Sequence, residues 1–352
     1  MKHTLKRWLR RALAATLHAT GLRRLFRARR RGVPVLMFHN VGKPASTDYI
    51  PGHMKVDDAR LAELLGHLGR SGYGTLTVGQ MVEALDRGEC PPDRVVLTFD
   101  DGYKDNHDRL LPLLREHRAT ATVFVQTGPM HGHINWLHHY FWVLHRRGPH
   151  ALGEELARRL PGVETGSKLR SLPPDPVGAE YQLKRVLKYD VSAADRDRLL
   201  DEIFRAAGGD DAELARQVWL SPEDCRALDA AGVELGAHTV NHLVLSSLDR
   251  ATQRAEIEGS LRDLRQWLGH DVASFAYPYG RSWDYNEDTL AVLRELGLRS
   301  AITAMPGLND AATGRLELRR IAVSETVPLA EILCEVDGVF DWFARRGLDL
   351  RS

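Results

Sequence analysis

The chain has 352 residues, of which 43% are hydrophobic and 27% are charged, the composition of an ordinary soluble globular protein. This length allows one large domain or two smaller ones. No run of about 18 apolar residues occurs, so the sequence predicts no membrane-spanning helix. The three cysteines are scattered and form no CxxC pair. Their spacing favours neither a disulfide framework nor a thiolate zinc site and fits a reducing compartment.

Positive charge is concentrated at the start of the chain, in a segment whose boundaries we set at residues 1–32. Residues 1–31 hold eleven Lys or Arg and no Asp or Glu, whereas the whole chain has a formal net charge of only +1. The remaining residues are therefore acidic. In the same segment apolar side chains recur at helical spacing between the arginines, which predicts a helix with one apolar and one basic face. These apolar residues are Leu5, Trp8, Leu9, Ala12, Leu13 and Leu17.

Three interpretations of this basic segment remain open. It could lie on an anionic membrane surface, form a disordered basic tail, or pack as a helix on the protein's own acidic surface. The segment lacks the uninterrupted apolar run and the cleavage site of a secretion signal. We therefore expect a cytoplasmic protein, which on the first interpretation contacts the inner face of the membrane through residues 1–31.

From residue 33 onward, short β-prone runs alternate with amphipathic helices. The predicted strands are VPVLMFH (33–39), VVLTFDD (95–101), TATVFVQ (120–126), VELGAH (233–238), SFAYPYG (274–280) and SAITAM (300–305). The predicted helices cover 57–72, 106–117, 221–232, 247–268, 286–297 and 328–346. Repeated βα units predict a parallel sheet, open or closed into a barrel, whose functional groups lie at the carboxyl ends of the strands.

One long interruption separates the strands. Residues 33–127 and 219–352 supply the two parts of the predicted barrel, and residues 128–218 are too many for a βα loop. Their mixed, helical composition predicts a helical insertion. Its histidines could form a second metal site, but surface and packing roles in an amphipathic lid are the favoured interpretation. They are His131, His133, His138, His139 and His145.

Several predicted strands end in groups that carry chemistry. Asp100 and Asp101 end one strand, and two adjacent carboxylates need either solvent or a cation. In GAHTVNH, His238 and His242 are four residues apart, a spacing that turns both imidazoles to one side if the segment is a helical turn. Two histidines and one carboxylate can hold a metal and leave positions open for water and substrate. Asp101 would be the ligand and Asp100 the general base.

These motifs resemble those of the polysaccharide deacetylase family, carbohydrate esterase family 4, which includes chitin, peptidoglycan and poly-N-acetylglucosamine deacetylases. TFDDG (98–102) is similar to the family's first motif and HTVNH (238–242) to its H-[ST]-x-x-H motif. AYPYG (276–280) is similar to R-x-P-[aromatic]-G. The similarity covers residues 33–126 and 219–325.

The resemblance implies an α/β fold, a distorted (β/α) barrel of about seven strands. It also implies a divalent metal, zinc first and Co, Ni or Mn as alternatives, held by Asp101, His238 and His242 with Asp100 as base. The backbone N–H of Tyr279 would help to hold the oxyanion. Pro278 and Tyr103 are grouped with Tyr279 as candidate substrate contacts.

Two features depart from the family pattern. The family's arginine would fall at Ala276, so we expect the ion pair that orients the base to be missing. The late L-x-x-H motif that supplies the general acid is absent, because no histidine follows His270. However, MFHNVG (37–42) resembles a histidine-bearing first strand of the poly-N-acetylglucosamine deacetylase branch, which makes His39 the candidate acid or substrate ligand. A strand-end histidine that only bonds to backbone is the alternative.

The sequence therefore predicts a metal-dependent hydrolase of non-peptide C–N bonds. It would remove N-acetyl or related N-acyl groups from an amino-sugar glycan or glycoconjugate, by attack of metal-bound water with Asp100 as base. We expect an amino-sugar substrate, lipid-linked if the protein works at the membrane face, and no nucleic acid, because the body of the chain is acidic. The alternatives are a same-fold amidase acting on a non-sugar amide or imide, and a non-catalytic glycan-binding or membrane-surface protein.

Overall fold

The computed structural model describes residues 2–160 and 162–351, with the side chains of residues 2–5 and 163 left undescribed. The Leu5 side chain of the predicted apolar face therefore lies outside the described part. The chain divides into two compact units. The first comprises residues 1–43, 52–130 and 218–352, and the second comprises residues 44–51 and 131–217.

The first unit is built on a parallel sheet. The strands are β1 (Val35–Phe38), β2 (Asn40–Val41), β3 (Lys55–Val56), β4 (Gly74–Leu76), β5 (Arg94–Phe99), β6 (Thr122–Val125), β7 (Glu234–Ala237), β8 (Ser274–Ala276), β9 (Ser300–Ile302) and β10 (Ile321–Ala322). The main sheet runs in the order β10-β1-β5-β6-β7-β8-β9, β4 pairs with β5, and β2 pairs with β3. Beyond β9, Leu318 pairs with Ile302, and the chain then enters β10 beside β1. The segment 318–322 thus spans from β9 to β1, and the predicted distorted barrel of about seven strands is confirmed.

All the described strands lie in the first unit, whereas helices occur in both units. They are α1 (Lys2–Ala19), α2 (Arg24–Arg27), α3 (Asp58–Arg70), α4 (Val78–Asp86), α5 (Leu111–Glu116), α6 (Trp136–Arg147), α7 (Pro149–Arg159), α8 (Val163–Arg170), α9 (Pro176–Tyr189), α10 (Ala193–Ala206), α11 (Asp211–Val218), α12 (Pro222–Ala230), α13 (Arg250–Leu268), α14 (Glu287–Glu295), α15 (Leu329–Val336) and α16 (Val339–Ala344). No described helix is both long and apolar enough to cross a bilayer.

Local sequence explains most of these boundaries. Asp57 caps α3, and Ser221 begins α12 with a capping box. The strand β4 and the helix α4 are absent from the sequence prediction, although Thr77 forms a capping box with Gln80 at the start of α4. The predicted helix 328–346 divides into α15 and α16 because Gly338 adopts a left-handed conformation with φ of 78°.

The N-terminal helix α1 packs on the C-terminal helices α15 and α16 of the same unit. Arg10 is buried, with Nε at 2.6 Å from Glu331 and Nη2 at 2.9 Å from Glu335. Ala14 packs in the same cluster as Phe340. Of the three interpretations left open for this segment, the structure therefore shows a helix packed on an acidic surface of the protein.

Candidate active site

The two neighbouring carboxylates lie in a sharp turn after β5. The Asp100 N–H donates to the Phe38 carbonyl of β1 at 3.0 Å and so prolongs the strand. Asp101 then turns the chain with φ of 74°, in the left-handed region that residues with side chains rarely adopt. Gly102 follows at φ of 67°, and a Cβ there would meet Val125 Cγ1 at 3.0 Å. Because of this turn, the two carboxylates meet different partners.

Asp101, His238 and His242 form a buried cluster beyond β5 and β7. Nε2 of each histidine lies 3.5 Å from Asp101 Oδ1, and the three ligand atoms lie within 4.8 Å of one another. Donors bound to one zinc ion at about 2 Å in tetrahedral geometry lie about 3.3 Å apart, so this donor set fits a divalent cation. His238 Nδ1 lies 2.7 Å from the Ala276 carbonyl, and a hydrogen bond donated there leaves Nε2 as the ligand atom.

The electrostatics of this cluster favour bound positive charge. Burial alone would raise the pKa of Asp101, but His238, His242 and His39 together hold it well below its usual range. Burial alone would lower the pKa of His238, but Asp101 and Asp100 raise it above its ordinary value. The two carboxylates therefore remain ionised, and their charge favours the protonated form of His238. A divalent cation would satisfy the same charges.

An irregular loop, rather than a helical turn, brings His238 and His242 together. Thr239 and His242 have left-handed backbones with φ of 63° and 55°, so the predicted helical turn is wrong. Thr239 Oγ1 accepts the His242 N–H at 3.0 Å, a local bond that competes with helix formation. Glu256 of α13 accepts the backbone and side-chain N–H groups of Asn241 at 2.8 and 2.7 Å. The loop is thus held at both its centre and its end.

Asp100 forms a buried ion pair with Arg320, so the expectation of a missing arginine is wrong. Arg320 Nη1 lies 2.6 Å from Asp100 Oδ1, and the side chains are 1% and 4% exposed. Arg320 also donates from Nε to the Thr303 carbonyl at 2.7 Å. It lies in the segment that joins β9 to β1, far in sequence from Ala276. Burial alone would raise the pKa of Asp100, but Arg320 and His238 hold it below its usual range.

His39 follows β1 and is half-buried. Asn106 donates from its side-chain amide to the His39 carbonyl at 3.2 Å. Burial lowers the pKa of His39, and the charges of Asp101 and Asp100 act in the opposite direction. The imidazole therefore lies within electrostatic reach of both carboxylates. This position fits either a proton-transfer role or substrate contact.

The three candidate substrate contacts occupy different environments. The Tyr279 ring is half-buried and packs edge-on against His242, with centroids 4.8 Å apart. Its backbone is left-handed with φ of 62°. Pro278 is buried, and its carbonyl accepts the Gly280 N–H at 2.7 Å. Tyr103 is fully buried and stacks on Trp219, so the structure gives its ring a packing role and does not bring it to the surface of the site.

Backbone strain is concentrated at this site. Among the described residues, five that are not glycine have a positive φ. Four of these five are Asp101, Thr239, His242 and Tyr279. The fifth is Arg118. Conformations of this kind cost on the order of 1–3 kcal/mol each and cluster where function requires them. The surrounding fold therefore holds the site in a geometry that the local sequence disfavours.

Two buried polar residues near the site were missed by sequence reasoning. Asp105 accepts hydrogen bonds from the side-chain amides of Asn40 and Asn106. Because Asn40 begins β2 directly after His39, these bonds connect β2 to the segment that follows β5. Burial raises the pKa of Asp105 to about 8. The only signal in the sequence for a role of Asp105 and Asn106 is that they lie a few residues after the DDG motif.

A second group of residues whose types can bind metals lies in the second unit. His139, Asp201 and Asp211 could by spacing hold an ion. However, Arg205 binds Asp201 at 2.8 Å and Asp211 at 2.6 Å, so a guanidinium already supplies the positive charge. His139 itself lies 2.7 Å from Asp211 and stacks on Phe204. These contacts favour the packing interpretation of the insertion's histidines.

The sequence model of one family, described as polysaccharide deacetylase, matches residues 87–167 and 193–301, more than half of the chain. The chain belongs to the polysaccharide deacetylase family. It is accordingly a deacetylase-type hydrolase that acts on non-peptide C–N bonds. The matched ranges contain the DDG turn, both histidines of the cluster and the YPYG segment, whereas His39 and Arg320 lie outside them.

Individual relatives are distant. YxkH of Bacillus subtilis (strain 168), whose name assigns it to the polysaccharide deacetylases, is 22% identical over 293 residues, covering 83% of this chain and 71% of its own. The poly-beta-1,6-N-acetyl-D-glucosamine N-deacetylase of Escherichia coli (strain K12) is 34% identical over 91 residues, covering 26% of this chain and 13% of its own. The Streptococcus pyogenes deacetylase PplD, solved with acetate, superposes with a TM-score of 0.56 at 20% identity, covering 86% of this chain and 96% of its own. This last similarity supports the fold.

Proposed function

We propose that this deacetylase removes the N-acetyl group of an amino-sugar glycan or glycoconjugate in a metal-dependent reaction with Asp100 as base. One observation carries the proposal: Asp101 converges on two imidazoles while its neighbour Asp100 is bound to Arg320. Two adjacent carboxylates thus have separate partners. One is suited to holding a cation and the other to accepting a proton.

The chain's own residues divide the work of hydrolysis. A divalent cation held by Asp101, His238 and His242 would supply Lewis acidity toward the acyl oxygen and the attacking water. Asp100 accepts the proton that this water loses as its oxygen bonds to the acyl carbon. Arg320 occupies Oδ1, and no described residue donates a hydrogen bond to Asp100 Oδ2, so Oδ2 is the oxygen available for that proton.

Breaking the C–N bond requires a proton on the amine nitrogen. We assign its delivery to His39, which neighbours both carboxylates. Because burial favours the neutral imidazole, His39 would pass on a proton taken up during turnover rather than hold one beforehand. The Tyr279 backbone N–H, next to the cluster, would donate to the developing oxyanion. Zinc suits this donor set best, and Co, Ni and Mn are alternatives.

The amino-sugar substrate is supported by family membership and by the relative that acts on poly-beta-1,6-N-acetyl-D-glucosamine. The intact set of metal-ligand residues and the buried Asp100 argue against the interpretation as a non-catalytic binding protein. A non-sugar amide or imide remains the second candidate substrate class. Metal content and acetate release distinguish these three possibilities.

The experiment measures metal content by mass spectrometry and acetate release from N-acetylglucosamine oligomers. It compares the wild type with Asp100→Asn, His238→Ala and the control His270→Ala, an exposed histidine bound to Asp229 outside the site. We expect Asp100→Asn to keep metal and lose acetate release by at least about 100-fold. His238→Ala should lose both, and the control should retain both.

Other outcomes have distinct meanings. A wild type that holds metal but releases no acetate from any amino sugar would contradict the substrate assignment and favour the amide or imide class. A wild type that binds no divalent metal would overturn the metal-dependent mechanism. Loss of metal in Asp100→Asn would contradict the separate roles of the two carboxylates.

We also propose that the chain works at an anionic membrane surface, on a lipid-linked substrate. The support is the outer side of the N-terminal segment. Trp8, Leu9, Leu22 and Leu25 are 46–64% exposed. Exposed arginines lie between them, and this combination of apolar and basic groups suits a membrane interface.

A further inference from the structure

An arginine-rich cavity lies between the N-terminal segment and the C-terminal helices of the first unit. Its volume is about 630 Å³. We call it the arginine pocket. The residues that line it are Ala28, Arg29, Arg30, Arg31, Gly338, Asp341, Trp342, Arg345 and Arg346. Five arginines and a single carboxylate therefore surround one cavity, an imbalance that favours an anion.

The positive charges of this pocket are poorly compensated. Arg345 pairs with Asp341 at 2.7 Å. Arg29 and Arg346 donate instead to the backbone carbonyls of Leu25 and Trp342. Within the described residues, none of the arginines other than Arg345 forms an ion pair with a carboxylate. Carbonyl oxygens and aromatic faces hold the guanidinium groups of Arg29, Arg30 and Arg346 in place without neutralising them.

Arg30 provides an independent sign of a missing ligand. Its side chain is 9% exposed, and its terminal nitrogens donate to the carbonyls of Val336, Pro91 and Arg94. Its Nε is buried without a hydrogen-bond partner. Burial also lowers its pKa, and the charges of Asp337 and Asp93 offset this effect only in part. A buried charge of this kind is costly unless an anion lies nearby.

Apolar side chains adjoin the pocket. The Arg29 guanidinium donates to the Leu25 carbonyl, and the Leu25 side chain is 58% exposed. Trp342 packs edge-on against Phe26 at 5.3 Å and carries the Arg346 guanidinium on its face at 3.7 Å. A ligand with a phosphate group and an apolar body would match both surfaces.

We propose that the arginine pocket binds the phosphate or diphosphate head of a membrane lipid. Guanidinium groups bind phosphate through paired, charge-assisted hydrogen bonds, and several arginines around one cavity can share its oxygens. The neighbouring Leu25 side chain would rest in the interfacial layer of the bilayer. This inference deepens the proposed membrane contact and is independent of the deacetylation chemistry.

The test measures co-sedimentation of the full chain with phosphatidylcholine vesicles, with and without phosphatidylglycerol, and calorimetric binding of inorganic pyrophosphate. Arg31→Ala and Arg346→Ala probe the pocket through exposed positions that keep the buried Arg30 intact. Arg24→Ala, an exposed arginine outside the pocket, is the charge-matched control, and Leu25→Ser probes the apolar contact. Thermal unfolding checks that each variant is folded.

We expect the wild type to bind the anionic vesicles and each pocket variant to bind roughly fivefold more weakly, with the control less affected. Equal losses in the pocket variants and the control would overturn the pocket while leaving the general membrane contact in place. Pocket-dependent pyrophosphate binding without vesicle binding would show a soluble phosphate ligand and contradict the lipid source. Binding of neither probe would overturn the proposal. None of these results would bear on the proposed deacetylation, which acetate release tests separately.

Discussion

Asp100 and Arg320 form a buried pair in which each charge depends on the other. Removing one partner of such a pair leaves an uncompensated charge, which costs about 3–5 kcal/mol. The arginine side chain also bonds to the Thr303 carbonyl, so it fixes the carboxylate relative to the end of β9. Arg320 therefore orients the proposed base from the segment that joins β9 to β1 and lies beside β1, the neighbour of β5.

We expect Arg320→Ala to lose at least about 100-fold in acetate release and about 3–5 kcal/mol in unfolding free energy. Arg320→Lys should recover part of both, because it restores the charge but not the forked hydrogen bonds. The control is Arg319→Ala, an exposed neighbour. Activity assays and urea unfolding measure these effects. Equal behaviour of the Arg319 and Arg320 variants would contradict the role of the pair.

From the raised pKa of Asp105 we predict that the unfolding free energy depends on pH. Its pKa is raised by burial to about 8, so folding favours the protonated form. The stabilisation is complete below the ordinary carboxyl pKa of about 4 and is lost as pH rises toward 8. We expect Asp105→Asn to flatten this decline and to be more stable at pH 8 by on the order of 1–3 kcal/mol.

Unfolding free energies measured at about four pH values between pH 5 and pH 8.5 test this prediction. Asp108→Asn removes an exposed carboxylate from the same segment and should leave the slope unchanged. A wild-type decline that persists in Asp105→Asn would show that another group titrates.

At the scale of elements, helix α13 supports the loop that carries both histidines. Glu256 is 7% exposed and accepts two hydrogen bonds from Asn241, in the middle of that loop. Outer residues that hold metal ligands in place typically affect metal affinity by about 10–100-fold. The same helix therefore contributes to the site without touching it.

We expect Glu256→Ala to weaken zinc binding by about 10–100-fold, measured by competition with a chromophoric chelator. Glu258→Ala alters an exposed carboxylate on the same helix and serves as the control. If both variants bind zinc as the wild type does, the loop is held by its own backbone and by Thr239 alone.

At the scale of the whole molecule, the N-terminal helix is part of the folded first unit. Arg10 is 5% exposed and contacts Glu331, Glu335 and the face of Phe340. Arg23 similarly pairs with the buried Asp337. The first and last segments of the chain thus neutralise each other's buried charges.

We expect Arg10→Met to lower the unfolding free energy by about 3–5 kcal/mol, since the buried Glu335 loses its partner and the buried Glu331 keeps only the contact to Arg11. Arg11→Met removes a contact to Glu331 from a side chain that is 49% exposed and should cost less than about 1 kcal/mol. Urea unfolding at neutral pH compares the two. Similar small effects would contradict the docking of α1.

The parts of the site that sequence predicted share a local origin. Asp100 and Asp101 follow an apolar strand, and His238 and His242 follow another, so strand periodicity and short motifs were sufficient to identify them. The parallel sheet followed from the alternation of strands and helices, and the resemblance to the family implied the distorted barrel. The helical-turn geometry of the histidines was wrong because left-handed backbone at Thr239 and His242 depends on tertiary support.

Sequence by itself determined the alternating strands, the residues at their carboxyl ends and the basic, amphipathic first helix, because each is written in the spacing of neighbouring residues. Only the tertiary structure decided that Arg320 is the partner of Asp100, that Arg10 pairs with Glu331 and Glu335, and that arginines from the two ends of the chain line one pocket. These pairings join residues separated by hundreds of positions. They depend on which strands and helices become neighbours when the barrel closes, and no local pattern carries that information.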